Sequence, residues 1–478
     1  MKRLFSIIIT FWGILSASVA DTRITVLSDI HVMSPELIVR DGKAWQEFLS
    51  AKRIMLDYST QLFDEQVTKL LSDKPDIVLI AGDLTKDGET ASHQLVVSQL
   101  DRLRAGGIKV LVIPGDHDLG TPNAFVYDGD KTSKAETISS REFAALYQQY
   151  GYGDGSDRDP NSLSYCTEPV SGLVVIGIAC DDKGRMDSST LSWVCSQAEK
   201  ARSEGKQVVA MLHFLLFPHI SNMEKAQEEY LVKDYETVRD RLIEAGIRVV
   251  LTGHFHVLEM AKDYHSDMSS SVCEIVTSST AAYPCAYRQL TLNSDKTKLQ
   301  VTTEYINSLA GVSDFQDEAK DRLLQGGTRL IMNEEKVNET AANLAASGFV
   351  VHAAGNENKS GESQTYLAFY EVTSFLLKLT GVLDDKLSEA GMSWDMVDET
   401  VRGMLKDISN YGMGSREDRT DDLSLTIDLP KTTPSGINDR RREAGEDDGP
   451  CYTLQGVRVS KPAKGLYIKN GRVIRTGK

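Results

Sequence analysis

Histidine and aspartate recur in this chain in short fragments that share one setting. Asp29-Ile30-His31, Gly82-Asp83, Gly115-Asp116-His117-Asp118, His213 and Gly253-His254-Phe255-His256 each stand at the end of a short apolar run. One Asp-x-His says nothing, since chance supplies many. Five such fragments in sequence order, using five of the nine histidines, are a constellation. Carboxylates mixed with imidazoles, and without cysteine, suit borderline divalent ions such as Mn²⁺, Fe²⁺, Co²⁺ or Zn²⁺ and argue against a purely structural zinc. Asp29, His31, Asp83, Asp116, His213, His254 and His256 are too many for one tetrahedral ion. Seven ligands suit two divalent ions that share one carboxylate.

The elements that must position these groups are legible as periodicity. Residues 24–27, 77–80, 110–113, 173–178, 208–212 and 249–251 are of strand length and nearly continuous in apolar residues. Strands buried on both faces read this way. The stretches between them, such as 63–71 and 235–243, carry helical spacing. An α/β or sandwich-type sheet with covering helices follows, spanning residues 21–306. In open α/β sheets, ligand groups gather beyond the C-terminal strand ends, where the backbone turns away and leaves a crevice.

Past that region the period changes. Val397, Val401, Met404, Leu405 and Ile408 share one helical face, and residues 367–379 form a second helix stopped by Gly381 as a C-cap. Residues 313–411 are expected to be an all-helical domain, and the polar stretch 416–450, with Pro430 and Pro434, a linker. Residues 451–478 return to strand character. Leu454, Val457 and Val459 suggest one strand, and Leu466-Tyr467-Ile468 faces Val473-Ile474 across Lys469-Asn470-Gly471-Arg472, an Asn-Gly hairpin signal.

Composition bounds what such a chain can meet. At 478 residues it is long enough for two or three domains, and its 41% apolar residues, 36 glycines and 26% charged residues together exclude a collagen, a coiled-coil rod or a disordered polymer. Its formal net charge of −16 disfavours a nucleic acid polymer as partner. The one dense basic run, Arg440-Arg441-Arg442, is offset by Glu446-Asp447-Asp448. Lys2 and Arg3, the apolar stretch 4–15 and the small residues Ser18-Val19-Ala20 read as an export signal over residues 1–20. The chain is therefore expected to be exported, to the periplasm, the cell surface or the medium. Beyond residue 20 no apolar run reaches the roughly 20 residues of a membrane span. Six cysteines in an oxidising compartment permit disulfides, but their spacing assigns no pairing.

The combined motif resembles the signature of the calcineurin-like metallophosphoesterases over residues 21–306. Within that superfamily, Ser28-Asp29-Ile30-His31 and Gly82-Asp83-Leu84-Thr85-x-x-Gly88 look like the bacterial class III cyclic-nucleotide phosphodiesterases, a group of which carries a C-terminal helical domain. The resemblance implies a β-sandwich flanked by helices. It also implies that Asp29, His31 and His256 hold the first ion, Asp83 bridges both, and Asp116, His213 and His254 complete the second. A hydroxide bridging the ions would attack phosphorus in line. His117 would donate a proton to the leaving oxygen or stabilise the transition state, with Asp118 orienting its ring. An eighth ligand or a supporting hydrogen bonder is the other reading of His117. The family's third motif normally carries Asn where this chain has Asp116, which can ligate but cannot offer an amide hydrogen bond to a phosphate oxygen.

The expected activity is hydrolysis of a small-molecule phosphodiester, a cyclic nucleotide among the candidates. A phosphomonoesterase or nucleotidase, and a catalytically weak metal-binding protein, are the alternatives. His93, His265 and His352 are expected to be structural or exposed. His219, near His213, is a candidate for lining the pocket, and Tyr147, Tyr150 and Tyr152 for rimming it from a surface loop. The C-terminal segment resembles the short sorting tails of secreted proteins of some Gram-negative bacteria.

Overall fold

The computed structural model describes residues 20–355, 361–404, 421–432 and, near the C-terminus, 451–453, 458–459, 465–469 and 472–476. All but the last residue of the expected export signal lies outside the described residues. The first sheet starts with β1 (Thr22–Leu27), β2 (Ile77–Ile80) and β3 (Lys109–Val112), mutually parallel in register Ile24↔Ile77 and Ile77↔Lys109. Helices α1 (Lys43–Ser50) and α2 (Ser59–Asp73) lie between β1 and β2, and α3 (Thr90–Ala105) returns the chain to β3. A hairpin, β4 (Phe125–Asp128) with β5 (Lys131–Lys134), and helix α4 (Ser140–Leu146) follow.

The second sheet contains β6 (Ser156–Arg158), β7 (Tyr165–Val170), β8 (Leu173–Ile178), β9 (Gln207–Leu212), β10 (Val249–Thr252), β11 (Glu259–Tyr264) and β12 (Ser271–Val276). Its spatial order is β11-β12-β10-β9-β8-β7-β6, with β8, β9, β10 and β12 parallel. Helices α5 (Ser188–Ser203), α6 (Met223–Ala226) and α7 (Tyr235–Glu244) are its connections. The chain then returns to the first sheet through β13 (Ala286–Leu292) and β14 (Lys298–Tyr305), so that β1 has an antiparallel neighbour on one side and a parallel one on the other.

The continuous apolar runs follow from this two-layer arrangement. Val175, Val209 and Leu251 share one core with Val26, Leu79 and Leu111 of the first sheet. Their sequence neighbours Ile176, Ala210 and Val250 face the other way, packing with Leu191, Val194 and Leu242 of the covering helices. Alternate side chains are apolar because both faces are covered, which is why the strands read as unbroken runs rather than as alternation. A smaller core of Met33, Trp45, Leu49, Leu56 and Tyr127 ties α1 to the β4–β5 hairpin.

Beyond β14 lie α8 (Phe315–Glu335), α9 (Glu339–Ala353), α10 (Gly361–Thr380), α11 (Asp384–Glu389) and α12 (Trp394–Met404). Gly381 caps α10 with φ +67°, as its position predicts. Leu323 of α8 and Val350 and Ala353 of α9 pack with Leu215, Phe255, Val257 and Val276, so the helical region shares a core with the sheet domain. Both fall within one compact unit, residues 1–433, while 434–478 form a second. In that second unit β16 (Cys451–Thr453), β17 (Arg458–Val459), β18 (Gly465–Lys469) and β19 (Arg472–Thr476) make an antiparallel sheet ordered β17-β16-β18-β19. Lys469 pairs with Arg472 on either side of the expected Asn-Gly turn; of the strand expected around Leu454, Val457 and Val459, Val459 lies in β17, and Leu454 and Val457 lie outside the described residues.

The linker expected over 416–450 needs correction. Residues 424–428 form β15 (Ser424–Asp428), an edge strand antiparallel to β14 in register Leu299↔Ile427. Only Leu425 and Ile427 alternate inward, too weak a signal to stand out from polar surroundings. Just before it, Asp422 receives Met260 N–H at 3.0 Å, and its carbonyl receives the fully buried Arg288 guanidinium at 2.5 Å. Losing that acceptor leaves Arg288 its bonds to Val276 O and Glu259 O but takes one partner from a buried guanidinium, a cost of roughly 1–3 kcal/mol. A chain ending at Thr432 should therefore melt like the full-length protein. One ending at Met404 should melt a few degrees lower. Equal melting temperatures by calorimetry would show that β15 and Asp422 contribute nothing.

Candidate metal centre

Three of the five strand-end fragments turn sharply as they leave the sheet, and the backbone records it. Asp29, His31, Asp83, His254 and His256 all have φ between +42° and +66°. Non-glycine residues avoid that region at a cost on the order of 1–3 kcal/mol each, and such strain gathers at functional sites. The flanking glycines are required by crowding. A Cβ on Gly115 would stand 2.1 Å from Asp83 Oδ1, and one on Gly253 would stand 1.8 Å from Ser28 Oγ. Asp29 N–H donates to Gly82 O and His31 N–H to Asp83 O, each at 3.0 Å, locking the first loop to the second.

These turns bring the seven expected ligands into two sets, each able to hold a divalent ion. Asp29, His31, Asp83 and His256 form one, and Asp83, Asp116, His213 and His254 the other, with donor atoms in each set within 4.8 Å of one another. Asp83 faces both, Oδ2 lying 3.6 Å from His31 Nε2 and Oδ1 3.4 Å from His213 Nε2. Asp29 Oδ1 is 3.2 Å from His256 Nε2. Asp116 Oδ1 is 3.1 Å from His213 Nε2 and 3.0 Å from His254 Nδ1. The donor chemistry fits cations. His31 Nε2 and His256 Nε2 point at each other 3.1 Å apart beside carboxylates, a convergence of lone pairs that an ion between them reconciles.

The supporting shell fixes the rings. His213 Nδ1–H donates to Ala81 O at 2.7 Å, which turns Nε2 into the site. Glu274, fully buried, accepts from Leu216 N–H at 2.8 Å and from Thr252 Oγ1 at 2.8 Å, joining the His213 and His254 loops. Charges follow from crowding. Burial alone would raise the Asp29 carboxyl, but His256, His213 and His31 hold it well below the usual carboxylate range. Burial is likewise overruled at Asp83, chiefly by His213, and at Asp116, chiefly by His254 and His213. His31 is pushed down to about 4 by burial, against the pull of Asp83. The three aspartates are ionised together.

His117 lies at the rim, its side chain 40% exposed, with Nε2 3.8 Å from Asp116 Oδ2. Its Nδ1–H donates to Lys86 O at 2.7 Å and to Asp87 Oδ1 at 3.0 Å. Asp118 does not orient this ring, contrary to the expectation from sequence. Fully buried, Asp118 accepts from the N–H groups of Leu84, Thr85 and Gly115 and pins the second loop to the third. The orienting carboxylate is Asp87, which occupies one of the two variable positions of the Gly82–Gly88 motif. Burial would lower the His117 imidazole, but Asp83, Asp87 and Asp116 raise it to about 10.

Other histidines stand apart. His93 is buried between Tyr147 OH and Asp118 O. His265 sits at the surface beside Asp267, and His352 is buried 3.3 Å from Glu259. His219 does not line the cleft. It is buried 3.0 Å from Glu274 and 3.6 Å from Glu259. Tyr147, Tyr150 and Tyr152 do not rim the site either. They are buried in the main core with Phe143 and Tyr165, because aromatic side chains of that size bury more favourably than they solvate. Over the metal-binding sets opens a cleft of about 890 Å³, lined by Phe48, Phe125, Tyr127, Phe214 and Tyr230.

Residues 22–258 match the calcineurin-like phosphoesterase family. No curated protein matches the chain. Among solved structures, a dimetal phosphatase from Danio rerio is 12% identical, covering 60% of this chain and 96% of its own, at a TM-score of 0.42. The NAD nucleotidase of Haemophilus influenzae is 14% identical, covering 63% and 55%, at 0.30. The phosphopantetheinyl hydrolase of Mycobacterium tuberculosis is 12% identical, covering 55% and 91%, at 0.27. Likenesses this distant assign no substrate.

Asp87→Asn should leave two ions bound per chain while lowering kcat/KM at least tenfold for esters with poor leaving groups. Removing that negative charge lowers the His117 pKa, so the alkaline limb of the pH–rate profile should move to lower pH. An unmoved profile would remove Asp87 from its positioning role. His219 links stability to pH: burial would lower its pKa, but Glu274 and Glu259 hold it at about 9. Its raised value makes its contribution full below about 6.5 and lost as pH rises through about 9, at most ~3 kcal/mol. Urea unfolding at pH 6.5 and 9.5 should show a smaller pH-linked loss in His219→Gln than in the wild type, and equal losses would contradict the linkage.

Proposed function

With a calcineurin-like phosphoesterase domain over residues 22–258, the chain is a metal-dependent phosphoric ester hydrolase, and we propose that it is an exported one that prefers phosphodiesters, cyclic nucleotides among them. The observation that carries the preference is Asp116, where the family carries Asn. Its Oδ1 is turned toward both His213 and His254, within 3.1 Å of each. Its charge therefore falls inside the second metal-binding set, one unit more negative than an Asn would leave it. Coulomb attraction scales with the product of charges, so a dianionic monoester loses about twice the attraction that a monoanionic diester loses.

Two divalent ions held by these sets would supply Lewis-acid stabilisation of the phosphoryl oxygens and activate a water. The chain's own residues do the rest. Asp83 spans the two sets and screens their mutual repulsion. His117, protonated and held through Nδ1 by Lys86 O and Asp87, presents Nε2–H toward the leaving oxygen. Phe48, Phe125 and Tyr127 give the same end of the cleft an apolar wall, with the Lys86 ammonium 5.1 Å from the Phe48 ring. Such a wall suits an organic leaving group, and the cleft volume is that of an ordinary small-molecule site. Export rests on the charged, apolar and small-residue sequence of the first 20 residues. Residues 451–478 are read as a sorting tail.

The test is Asp116→Asn at saturating metal, comparing kcat/KM for a chromogenic diester and its matching monoester. The monoester should gain more than the diester, by several-fold. An unchanged ratio, or a shift toward the diester, would sink the charge argument.

A further inference from the structure

Among the described residues, large apolar side chains left in solvent are few, and most belong to one helix. Phe369, Val372, Phe375, Leu376 and Leu379 of α10, with Val382 just beyond it, are 39–74% exposed. The opposite face of α10 is already used, since Tyr366, Tyr370 and Leu377 are buried with Ala341, Leu344 and Val351 of α9. A helix apolar on both faces is one meant to be covered on both.

The spacing says what covers it. Thr365, Ala368, Val372, Phe375 and Leu379 are separated by 3, 4, 3 and 4 residues along α10, and all five are exposed. That is the a/d seam of a coiled coil, a pattern that fits another helix. A lipid surface fits poorly. An interfacial helix needs a polar, usually basic, opposite face, whereas this one is buried in protein, and α11 begins with Asp384-Asp385. Lys378, the one basic residue of α10, is engaged by Asp398 at 2.8 Å. The charged flank of the seam, Glu371 with Arg402 at 3.5 Å, is neutral as a pair, so like copies meet without net repulsion there.

We propose that this seam pairs with the α10 seam of a second copy of the chain about a two-fold axis, making the protein a homodimer through its helical region. From their exposures, Phe369, Val372, Phe375, Leu376, Leu379 and the neighbouring Val382 offer roughly 600 Å² per copy, or ~1,200 Å² in all, the lower edge of a stable interface. The dimer should accordingly dissociate in the micromolar range.

Sedimentation velocity of the metal-loaded protein from about 1 to 100 µM tests this. The wild type should pass from monomer to dimer, and the Val372→Glu/Leu379→Glu variant should stay monomeric with metal content and hydrolysis unchanged. Phe375→Ala, which only removes apolar area, should weaken dimerisation at least tenfold. A wild type monomeric throughout, or a dimer indifferent to all three changes, would overturn the proposal. So would a monomer that dimerises only after deletion of residues 405–420, which would mean that the chain covers its own seam. Co-sedimentation of the wild type, but not the variant, with neutral or anionic vesicles would assign the face to lipid instead.

Discussion

The structure is organised around an electrostatic liability. Asp29 and Asp83 are buried, Asp116 is largely so, and all three are ionised beside four imidazoles that approach them to between 3.0 and 3.6 Å. Carboxylates taken out of water this close together are tenable only when cations neutralise them, so the sequence motif is a prescription for charge balance. Geometry adds a second cost. Five of the seven donors adopt left-handed backbone conformations, on the order of 10 kcal/mol of strain if each lies near the middle of the usual range. A loop could not hold that conformation alone. The two packed sheets hold it by fixing both ends of every turn.

That constraint explains residues whose roles were not apparent from spacing. Asp118 sits beside His117 in the chain, and adjacency suggested partnership. In a turn this tight, consecutive side chains diverge, and Asp118 points inward to collect N–H groups that the sharp turns leave unpaired. Burial and the neighbouring Asp83 raise its carboxyl to about 7, against the pull of those backbone donors. Asp87 reaches His117 from a different loop, and no spacing within one motif could reveal it. Glu274 is invisible for the same reason, since β12 carries it beneath two ligand loops that precede it in the chain.

What the sequence does reveal are the features that repeat a physical rule over several residues. Strands buried on both faces are continuous apolar runs, and β2, β8 and β9 lie where residues 77–80, 173–178 and 208–212 indicate. The positions of the seven donors are legible because strand ends converge in this kind of sheet. Edge elements follow weaker rules. β15 has one neighbour and one half-covered face, so two apolar residues suffice and the pattern sinks into a charged stretch. Tyr147, Tyr150 and Tyr152 mislead in the opposite sense, because their glycine- and aspartate-rich sequence continuation suggests surface while their rings fill the core.

The helical region is tied to the chemistry through a single alternation. In His254-Phe255-His256 both histidines take left-handed conformations and face the ions' sites, which turns Phe255 the other way. Its ring lies 5.6 Å from Phe349 and 5.6 Å from His352 of α9, and 4.7 Å from Tyr230 of the cleft wall. Leu258 N–H, two residues past the second ligand, donates to Ala353 O at 3.1 Å. One ligand from each metal-binding set is thus carried on a turn whose middle residue is clamped by α9. The helices are therefore not an appendage to a self-sufficient sheet domain. They supply the packing that keeps a strained turn from relaxing, and the placement of His254 and His256 depends on them.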